Sequence, residues 1–237
     1  MSTILRTEDL VKSFSGVVAT DHLEYEMDAG EIECVIGPNG AGKTTFFNLI
    51  TGTLRPDSGT VHFDGEDITG LDIHEIARRG MVRKYQTPSV YAEMSVRRNI
   101  GIAFGEEKPP DRDQRLGEIL DLVDLAGRAD EEAGALDHGT KQWLEIGMVL
   151  ANDPKLILLD EPTAGMTTEE TRQTADLITE INAEEEVSII AIEHDIEFVR
   201  RLSSRVTVLH QGSVLAQGSV SEIESNDDVQ RVYLGDE

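Results

Sequence analysis

Short runs of apolar residues recur along the chain and end in polar side chains. One run spans 156–159 and ends in Asp160 and Glu161, and another spans 187–192 and leads to His194. Apolar runs of this length without alternation are typical of strands buried on both faces of a parallel sheet. The carboxyl ends of such strands form the ligand crevice of an open α/β fold. The pattern therefore predicts one crevice shared by these three side chains, the alternatives being solvated acids and a loop histidine without a role.

A third strand, at 31–36, leads into a glycine-rich loop and then a helix from Lys43 to Ile50. Two glycines, a lysine and a hydroxyl residue stand in the loop at the spacing of a P-loop. Backbone N–H groups of such a loop surround phosphate oxygens, and the helix adds its positive dipole end. Lys43 then supplies charge for the β- and γ-phosphates, and Thr44 offers a hydroxyl to Mg²⁺. The motif predicts a nucleoside triphosphate site, with the loop Gly37-Pro38-Asn39-Gly40-Ala41-Gly42-Lys43-Thr44.

The residues on either side of this core have different patterns. Strand-like stretches at 4–11, 25–27 and 59–66 predict a small β region. Phe14 precedes Gly37 by 23 residues, and an aromatic ring there can stack on an adenine face, the alternative being a core phenylalanine. From 87 to 151 the pattern is helical, at 95–103, at 115–125 and after 145, which predicts an inserted helical subdomain.

Between these regions, a strand at 81–85 delivers Gln86 to the carboxyl edge of the sheet. A polar side chain at that edge faces the ligand crevice, the alternative being a solvent-facing loop amide. Near the end of the chain, 205–210 and 214–217 flank Gly212 and predict a hairpin. A short helix and a polar tail are expected to follow.

Composition limits the function. The chain of 237 residues has 46 acidic and 21 basic residues and a net charge of −25, which argues against nucleic-acid binding. Its acids are dispersed and its lysines few, as in proteins of salt-accumulating halophiles. No apolar run is long enough for a membrane span and no signal peptide is evident, so we expect a cytoplasmic protein. The lone Cys34 is expected to be a small core residue.

In this order, these segments resemble the ATP-binding subunit of an ABC transporter along essentially the whole chain. The resemblance implies a single domain with a RecA-like α/β P-loop NTPase core. That core comprises 1–86 and 152–237 and carries an N-terminal antiparallel β subdomain. Residues 87–151 correspond to the inserted α-helical subdomain with the signature motif.

The resemblance also implies roles for individual residues. For ATP binding it implies Phe14, Gly37, Pro38, Asn39, Gly40, Ala41, Gly42, Lys43, Thr44 and Thr45. For the Mg²⁺ site it implies Thr44, Gln86 and the Walker B residue Asp160. For catalysis it implies Glu161 as general base, the switch histidine His194 and the Q-loop residue Gln86. The signature motif corresponds to Leu136, Asp137, His138, Gly139 and Thr140.

The signature departs from the usual Leu-Ser-Gly-Gly-Gln at three positions, of which Asp137 matters most. Aspartate is a good helix N-cap, yet a carboxylate near the γ-phosphate of a partner subunit would repel it. This departure favours a heterodimer with a second ABC ATPase over a homodimer. Thr167 also replaces an aspartate that most members carry, so communication between the two sites is expected to differ.

Within the superfamily, residues 143–148, 161–167, 208–215 and 232–235 resemble the urea-importer ATPase, a relative of the branched-chain amino-acid importer ATPases. This implies membrane permease partners, an extracellular solute-binding protein acting indirectly, and a peripheral location at the inner face of the membrane. One alternative is a soluble ABC ATPase acting on a macromolecular complex. Another, a small-molecule P-loop kinase, leaves Gln86 and the signature segment unexplained.

Overall fold

The computed structural model describes residues 2–84, 90–104, 111–203 and 205–234, except for the side chain of Leu234. This part of the chain folds into two β-sheets and the helices that cover them. The strands are β1 (Thr3–Phe14), β2 (Val17–Asp28), β3 (Ile32–Ile36), β4 (Ser58–Phe63), β5 (Glu66–Asp67), β6 (Met81–Lys84), β7 (Leu156–Asp160), β8 (Ser188–Ile192), β9 (Arg205–His210) and β10 (Ser213–Gly218). The helices are α1 (Lys43–Ile50), α2 (Ile73–Arg78), α3 (Val96–Ala103), α4 (Arg112–Leu122), α5 (His138–Leu150), α6 (Thr168–Glu185), α7 (Ile196–Leu202), α8 (Val220–Glu224) and α9 (Asp227–Leu234).

The larger sheet has six strands in the described residues, in the order β10-β9-β3-β8-β7-β6. Pairing is parallel from β9 to β6, and only β10 runs antiparallel to its neighbour. The apolar runs predicted to be strands are β7 and β8, and both are buried along nearly their whole length. Alternate residues of these strands belong to two separate hydrophobic clusters, one on each face of the sheet. The prediction of strands buried on both faces is therefore confirmed.

The smaller sheet is antiparallel, in the order β2-β1-β4-β5. Its strands β1 and β2 are longer than the sequence predicts, with 12 residues each. They are joined at Ser15 and Gly16, which both have positive φ. The sequence did not predict the extra length because apolar and polar residues alternate only weakly near the turn of the hairpin, where residues on both faces of the sheet are exposed. This sheet and α1 share the second hydrophobic cluster, so they cover the same face of the larger sheet.

The helices between 96 and 150 share a hydrophobic cluster with one face of the larger sheet, and polar contacts add to it. Lys84 of β6 and Glu145 of α5 form a buried ion pair at 3.2 Å. Trp143 of α5 donates a 2.9 Å hydrogen bond from Nε1 to Thr174 Oγ1 of α6. The helix predicted at 115–125 lies at 112–122, because the chain leaves the α conformation after Val123 and Asp124 adopts a positive φ. Among the described residues, no helix has the length and apolarity required to cross a membrane.

Candidate nucleotide-binding site

Three loops meet at the carboxyl ends of adjacent parallel strands. The loop 37–42 follows β3, Glu161 follows β7, and His194 follows β8, and these strands are neighbours in the sheet. The electrostatic influence of Glu161 and Asp160 reaches the ammonium group of Lys43. The structure thus brings the P-loop, both acids and the histidine to one place. Gln86 lies outside the described residues.

The glycines of the loop are required by close backbone approaches. Gly37 has a φ of +154°, and a Cβ there would lie 2.3 Å from the carbonyl oxygen of Leu209. Gly42, the N-cap of α1, has a φ of +103°, and its Cβ would lie 2.5 Å from the carbonyl oxygen of Ala19. Any side chain at these positions would push the loop away from β9 or from the β1-β2 hairpin, so only glycine fits.

Lys43 is buried and folded back onto its own loop. Its Nζ donates to the carbonyl oxygens of Gly37, at 2.5 Å, and Pro38, at 3.1 Å. Burial lowers the pKa of Lys43, while Glu161 and Asp160 act to raise it. Thr44 and Asn39 are exposed, Thr45 and Pro38 are half-buried, and Ala41 is buried. The loop therefore presents Asn39, Gly40 and Thr44 to solvent.

Asp160 has a buried cationic partner that the sequence did not reveal. Nη2 of Arg83 donates to Oδ2 of Asp160 at 2.6 Å, and its Nη1 donates to Oδ1 of Asn48, also at 2.6 Å. Arg83 lies on β6, and Asn48 lies on the helix that follows the P-loop. The same guanidinium lies over the ring of Phe47, 5.5 Å from its centroid. The sequence signal for this contact was an arginine on a short predicted strand, three residues before Gln86.

Glu161 and His194 face each other across the crevice. Nε2 of His194 lies 3.2 Å from Oε1 of Glu161, and both side chains are partly exposed. Glu161 has a φ of +47°, which is rare for a residue other than glycine. Its backbone N–H donates to the carbonyl oxygen of Ile192 at the end of β8. This arrangement places a carboxylate and an imidazole side by side near the P-loop.

Phe14 lies at the end of β1, with 43% of its surface exposed. Nζ of Lys12 lies 5.8 Å from the centroid of its ring. The exposed ring does not support the alternative of a core phenylalanine. It leaves a flat apolar surface available on the β1-β2 hairpin, whose Ala19 lies close to Gly42 of the P-loop.

The predicted signature segment surrounds the start of α5. Asp137 is the N-cap, and its carboxylate accepts from Thr140 N, at 2.8 Å, and Thr140 Oγ1, at 2.7 Å. Nη1 of Arg128 lies 3.6 Å from Oδ2 of Asp137. These hydrogen bonds, with the charge of Arg128, hold the pKa of Asp137 below its ordinary value. The carboxylate is thus held by its own helix and partly neutralised.

The other signature residues have contacts of their own. Leu136, Gly139 and Thr140 are buried, whereas His138 is exposed. Nε2 of His138 lies 2.9 Å from the carbonyl oxygen of Ala164 in the loop after Glu161. The signature segment therefore contacts the loop after the Walker B strand within the same chain.

The residues at the crevice fit a nucleotide-bound Mg²⁺. The available donors are the hydroxyl of Thr44 and the carboxylate of Asp160, both hard oxygen groups of the kind that Mg²⁺ prefers. Among the described residues, no group of three or more His, Cys, Asp and Glu side chains could hold a metal on its own.

Comparisons with known proteins identify the family and the fold. The sequence model of the ABC transporter family matches residues 20–164. The branched-chain amino acid transport ATP-binding protein BraF of Pseudomonas aeruginosa is 35% identical over 250 residues, covering 98% of each chain. The lipopolysaccharide export system ATP-binding protein LptB of Acidithiobacillus ferridurans is 35% identical over 240 residues, covering 100% of this chain and 99% of its own. A crystal structure of the ADP conformation of an ABC transporter's ATP-binding cassette superimposes with a TM-score of 0.89 at 32% identity over the full length of both chains.

Proposed function

The chain belongs to the family of ABC transporter ATP-binding proteins, and on this basis we propose that it hydrolyses ATP to drive import of branched-chain amino acids or urea. The observation that carries the proposal is the pairing of Glu161 with His194 at the carboxyl ends of β7 and β8, in the same sheet as β3, which leads into the P-loop. A P-loop alone would serve many nucleotide-binding proteins, whereas a carboxylate and an imidazole at the carboxyl ends of neighbouring strands suit ATP hydrolysis.

In the proposed mechanism, Lys43 leaves the carbonyl oxygens of its loop for the β- and γ-phosphates. The backbone N–H groups of the loop and of the first turn of α1 bind the same phosphates. The exposed ring of Phe14 stacks on the adenine. Glu161 accepts a proton from the water that attacks the γ-phosphorus, and the bond to the bridging oxygen of ADP breaks. His194 orients this carboxylate and contacts the γ-phosphate.

Mg²⁺, held by Thr44, Asp160 and the glutamine at position 86, would neutralise charge on the phosphates. Asp160 already has Arg83 on its Oδ2. The guanidinium therefore helps to fix the orientation of the carboxylate that this proposal assigns to Mg²⁺.

The solute assignment rests on relatives and on sequence resemblance. BraF supports amino-acid import, and the segments 143–148 and 161–167 resemble the urea-importer ATPase. A soluble ABC ATPase acting on a macromolecular complex is not favoured, because BraF and LptB are both named as parts of transport systems. The partners in this proposal are a second ABC ATPase, membrane permease subunits and, indirectly, an extracellular solute-binding protein. The chain would then lie at the cytoplasmic face of the membrane, held there by the permease.

Reconstitution tests the solute. The chain would be assembled in liposomes with a second ABC ATPase and the permease subunits of its transporter, and phosphate release measured with the solute-binding protein loaded with leucine, urea or nothing. We expect one of these solutes to raise ATP hydrolysis several-fold. Stimulation by neither solute, with hydrolysis otherwise intact, would contradict the assignment of a branched-chain amino acid or urea as the solute and leave the ATPase assignment standing.

The composition of the dimer can be tested on the isolated chain. Asp137 suggested a heterodimer because its charge would repel the partner's γ-phosphate. Its hydrogen bond to the backbone at the start of α5 and the nearby charge of Arg128 reduce that repulsion. If the remaining charge still limits turnover, the chain alone binds ATP and hydrolyses it slowly, and Asp137→Ser raises the rate at moderate salt. Robust hydrolysis by the unaltered chain alone would instead indicate a competent homodimer.

A further inference from the structure

Glu161 is held in a backbone conformation that it would not adopt freely. Its φ of +47° lies in the left-handed region, where a residue other than glycine is strained. Residues 161–164 form a turn in which the N–H of Ala164 donates to the carbonyl oxygen of Glu161 at 3.1 Å. Such a conformation persists only when neighbouring contacts hold it. Contacts from outside the turn can therefore help to hold Glu161 in this conformation.

Glu193 provides that anchor. It precedes His194 and is only 4% exposed. Its Oε1 accepts from both the backbone N–H of Thr163, at 3.0 Å, and the hydroxyl of Thr163, at 2.7 Å. Its Oε2 accepts from the backbone N–H of His194 at 3.0 Å. A single buried carboxylate thus joins the turn that carries Glu161 to the residue that faces it.

We propose that Glu193 is a positioning residue for ATP hydrolysis, which fixes the Glu161 carboxylate relative to the His194 imidazole. Hydrogen bonds to an ionised group are among the stronger ones, and they carry direction as well as energy. The described contacts of Glu193 are with the backbone and hydroxyl of these loops, so it acts on the reaction through its neighbours. A displacement of about 1 Å at a catalytic group can cost on the order of 100-fold in rate.

This inference rests on hydrolysis itself, and it holds whichever solute the transporter carries. The test therefore compares variants with the unaltered chain in one and the same assembly, with no solute present. Failure to find a solute would leave the comparison valid.

Thr163 offers a mild test, because Thr163→Val removes one hydrogen bond to Glu193 and keeps the shape of the side chain. Thr163→Ser keeps the hydroxyl. We expect kcat to fall about ten-fold in the valine variant and to stay within about two-fold in the serine variant. KM for ATP and the affinity for ADP should change little in either, because the Thr163 hydroxyl bonds to Glu193 and belongs to the turn after Glu161.

The matched control is Thr7→Val, which also removes a buried hydroxyl. Oγ1 of Thr7 donates to the carbonyl oxygen of Leu23 at 3.1 Å, between β1 and β2 and away from the crevice. We expect this variant to lose stability without any loss of kcat. A fall in kcat for Thr7→Val equal to that for Thr163→Val would show that general destabilisation explains the result.

Glu193→Gln gives a second, independent test. Its amide oxygen can still accept from Thr163, but its NH₂ group then meets the N–H of His194, so the link to the histidine is lost. We expect kcat to fall between about ten-fold and 100-fold, and hydrogen exchange in 161–166 to accelerate in both this variant and Thr163→Val. Unchanged kcat in Thr163→Val and Glu193→Gln, or a rise in KM with kcat constant, would overturn the proposal.

Discussion

Arg83 donates a 2.6 Å hydrogen bond to the carboxylate of Asp160, and both side chains are largely buried. The guanidinium also reaches Asn48 on α1. A single arginine therefore joins β6, β7 and the helix after the P-loop. The charge of Asp160 is therefore balanced within the protein, and its carboxylate is held by a buried partner.

Arg83→Met should destabilise the folded chain and make its stability depend more strongly on bound nucleotide. Removing one partner of a buried ion pair leaves an uncompensated charge, at a cost of about 3 kcal/mol. Mg²⁺ and ADP would offset part of this loss, so their stabilising effect should exceed that in the unaltered chain. Thermal melting with and without Mg²⁺ and ADP measures both effects.

Arg201→Met is the control for that experiment, because the pair of Arg201 with Asp176 is exposed. Such pairs contribute little, about 0–1 kcal/mol. Equal losses of melting temperature in the two variants would refute a special role for Arg83.

Lys43→Ala and Glu161→Gln should separate nucleotide binding from hydrolysis. The first removes the phosphate charge, so we expect the affinity for ATP to fall by at least about ten-fold. The second removes only the proposed base, so ATP binding should persist while turnover falls by about 100-fold or more. Binding of a fluorescent ATP analogue and phosphate release on each variant provide the measurement. Near-normal hydrolysis by Glu161→Gln would show that another group accepts the proton.

Glu33 should make stability depend on pH near neutrality. Burial raises the pKa of Glu33 to about 7, although Tyr25 and Arg205 act to lower it. Because the folded-state pKa is raised, the folded protein favours the protonated acid. The stability that comes from burying the neutral Glu33 side chain is fully present below its ordinary pKa of 4.5 and is lost as pH rises through about 7. The raised pKa corresponds to about 3 kcal/mol in the free energy of unfolding.

Glu33→Gln keeps the site neutral at every pH, so its stability relative to the unaltered chain should rise between about pH 5 and pH 8. Chemical denaturation across that range measures the difference. Glu26→Gln, at an exposed position on β2, serves as the control and should show no such trend. A constant difference for Glu33→Gln would mean that the buried carboxyl does not titrate in this window.

The net charge of −25 leads us to expect a salt-dependent fold. Cations screen repulsion among surface carboxylates, so the melting temperature should rise from low to multimolar KCl. A flat or falling melting temperature would argue against a halophilic protein.

Sequence patterns predicted the strands of the larger sheet and the P-loop well, because apolar runs and glycine spacing are local signals. The α/β class and the ABC ATPase fold are confirmed. Helix α6 was not predicted, although Thr167 and Glu170 form a capping box at its start that is visible in the sequence. Its periodicity is weak, since acidic and threonine side chains occupy much of its surface.

Long-range polar contacts could not be predicted in the same way. Arg83 and Asp160 are 77 residues apart in sequence, and Thr163 and Glu193 are 30 apart. Their pairing depends on the order of strands in the sheet, which no local pattern specifies. Asp137 was recognised as a helix cap, but its second partner, Arg128, depends on the fold of the loop before it.

The contact between Trp143 and Thr174 gives the chain a built-in optical reporter. Trp143 is the only tryptophan in the sequence, and its half-buried indole binds α5 to α6 through a 2.9 Å hydrogen bond. Indole emission depends on hydration and on this hydrogen bond, so separation of the two helices would shift the spectrum to longer wavelength. Unlabelled protein can therefore be followed by fluorescence in stopped-flow mixing with ATP, and every variant proposed above keeps the chromophore.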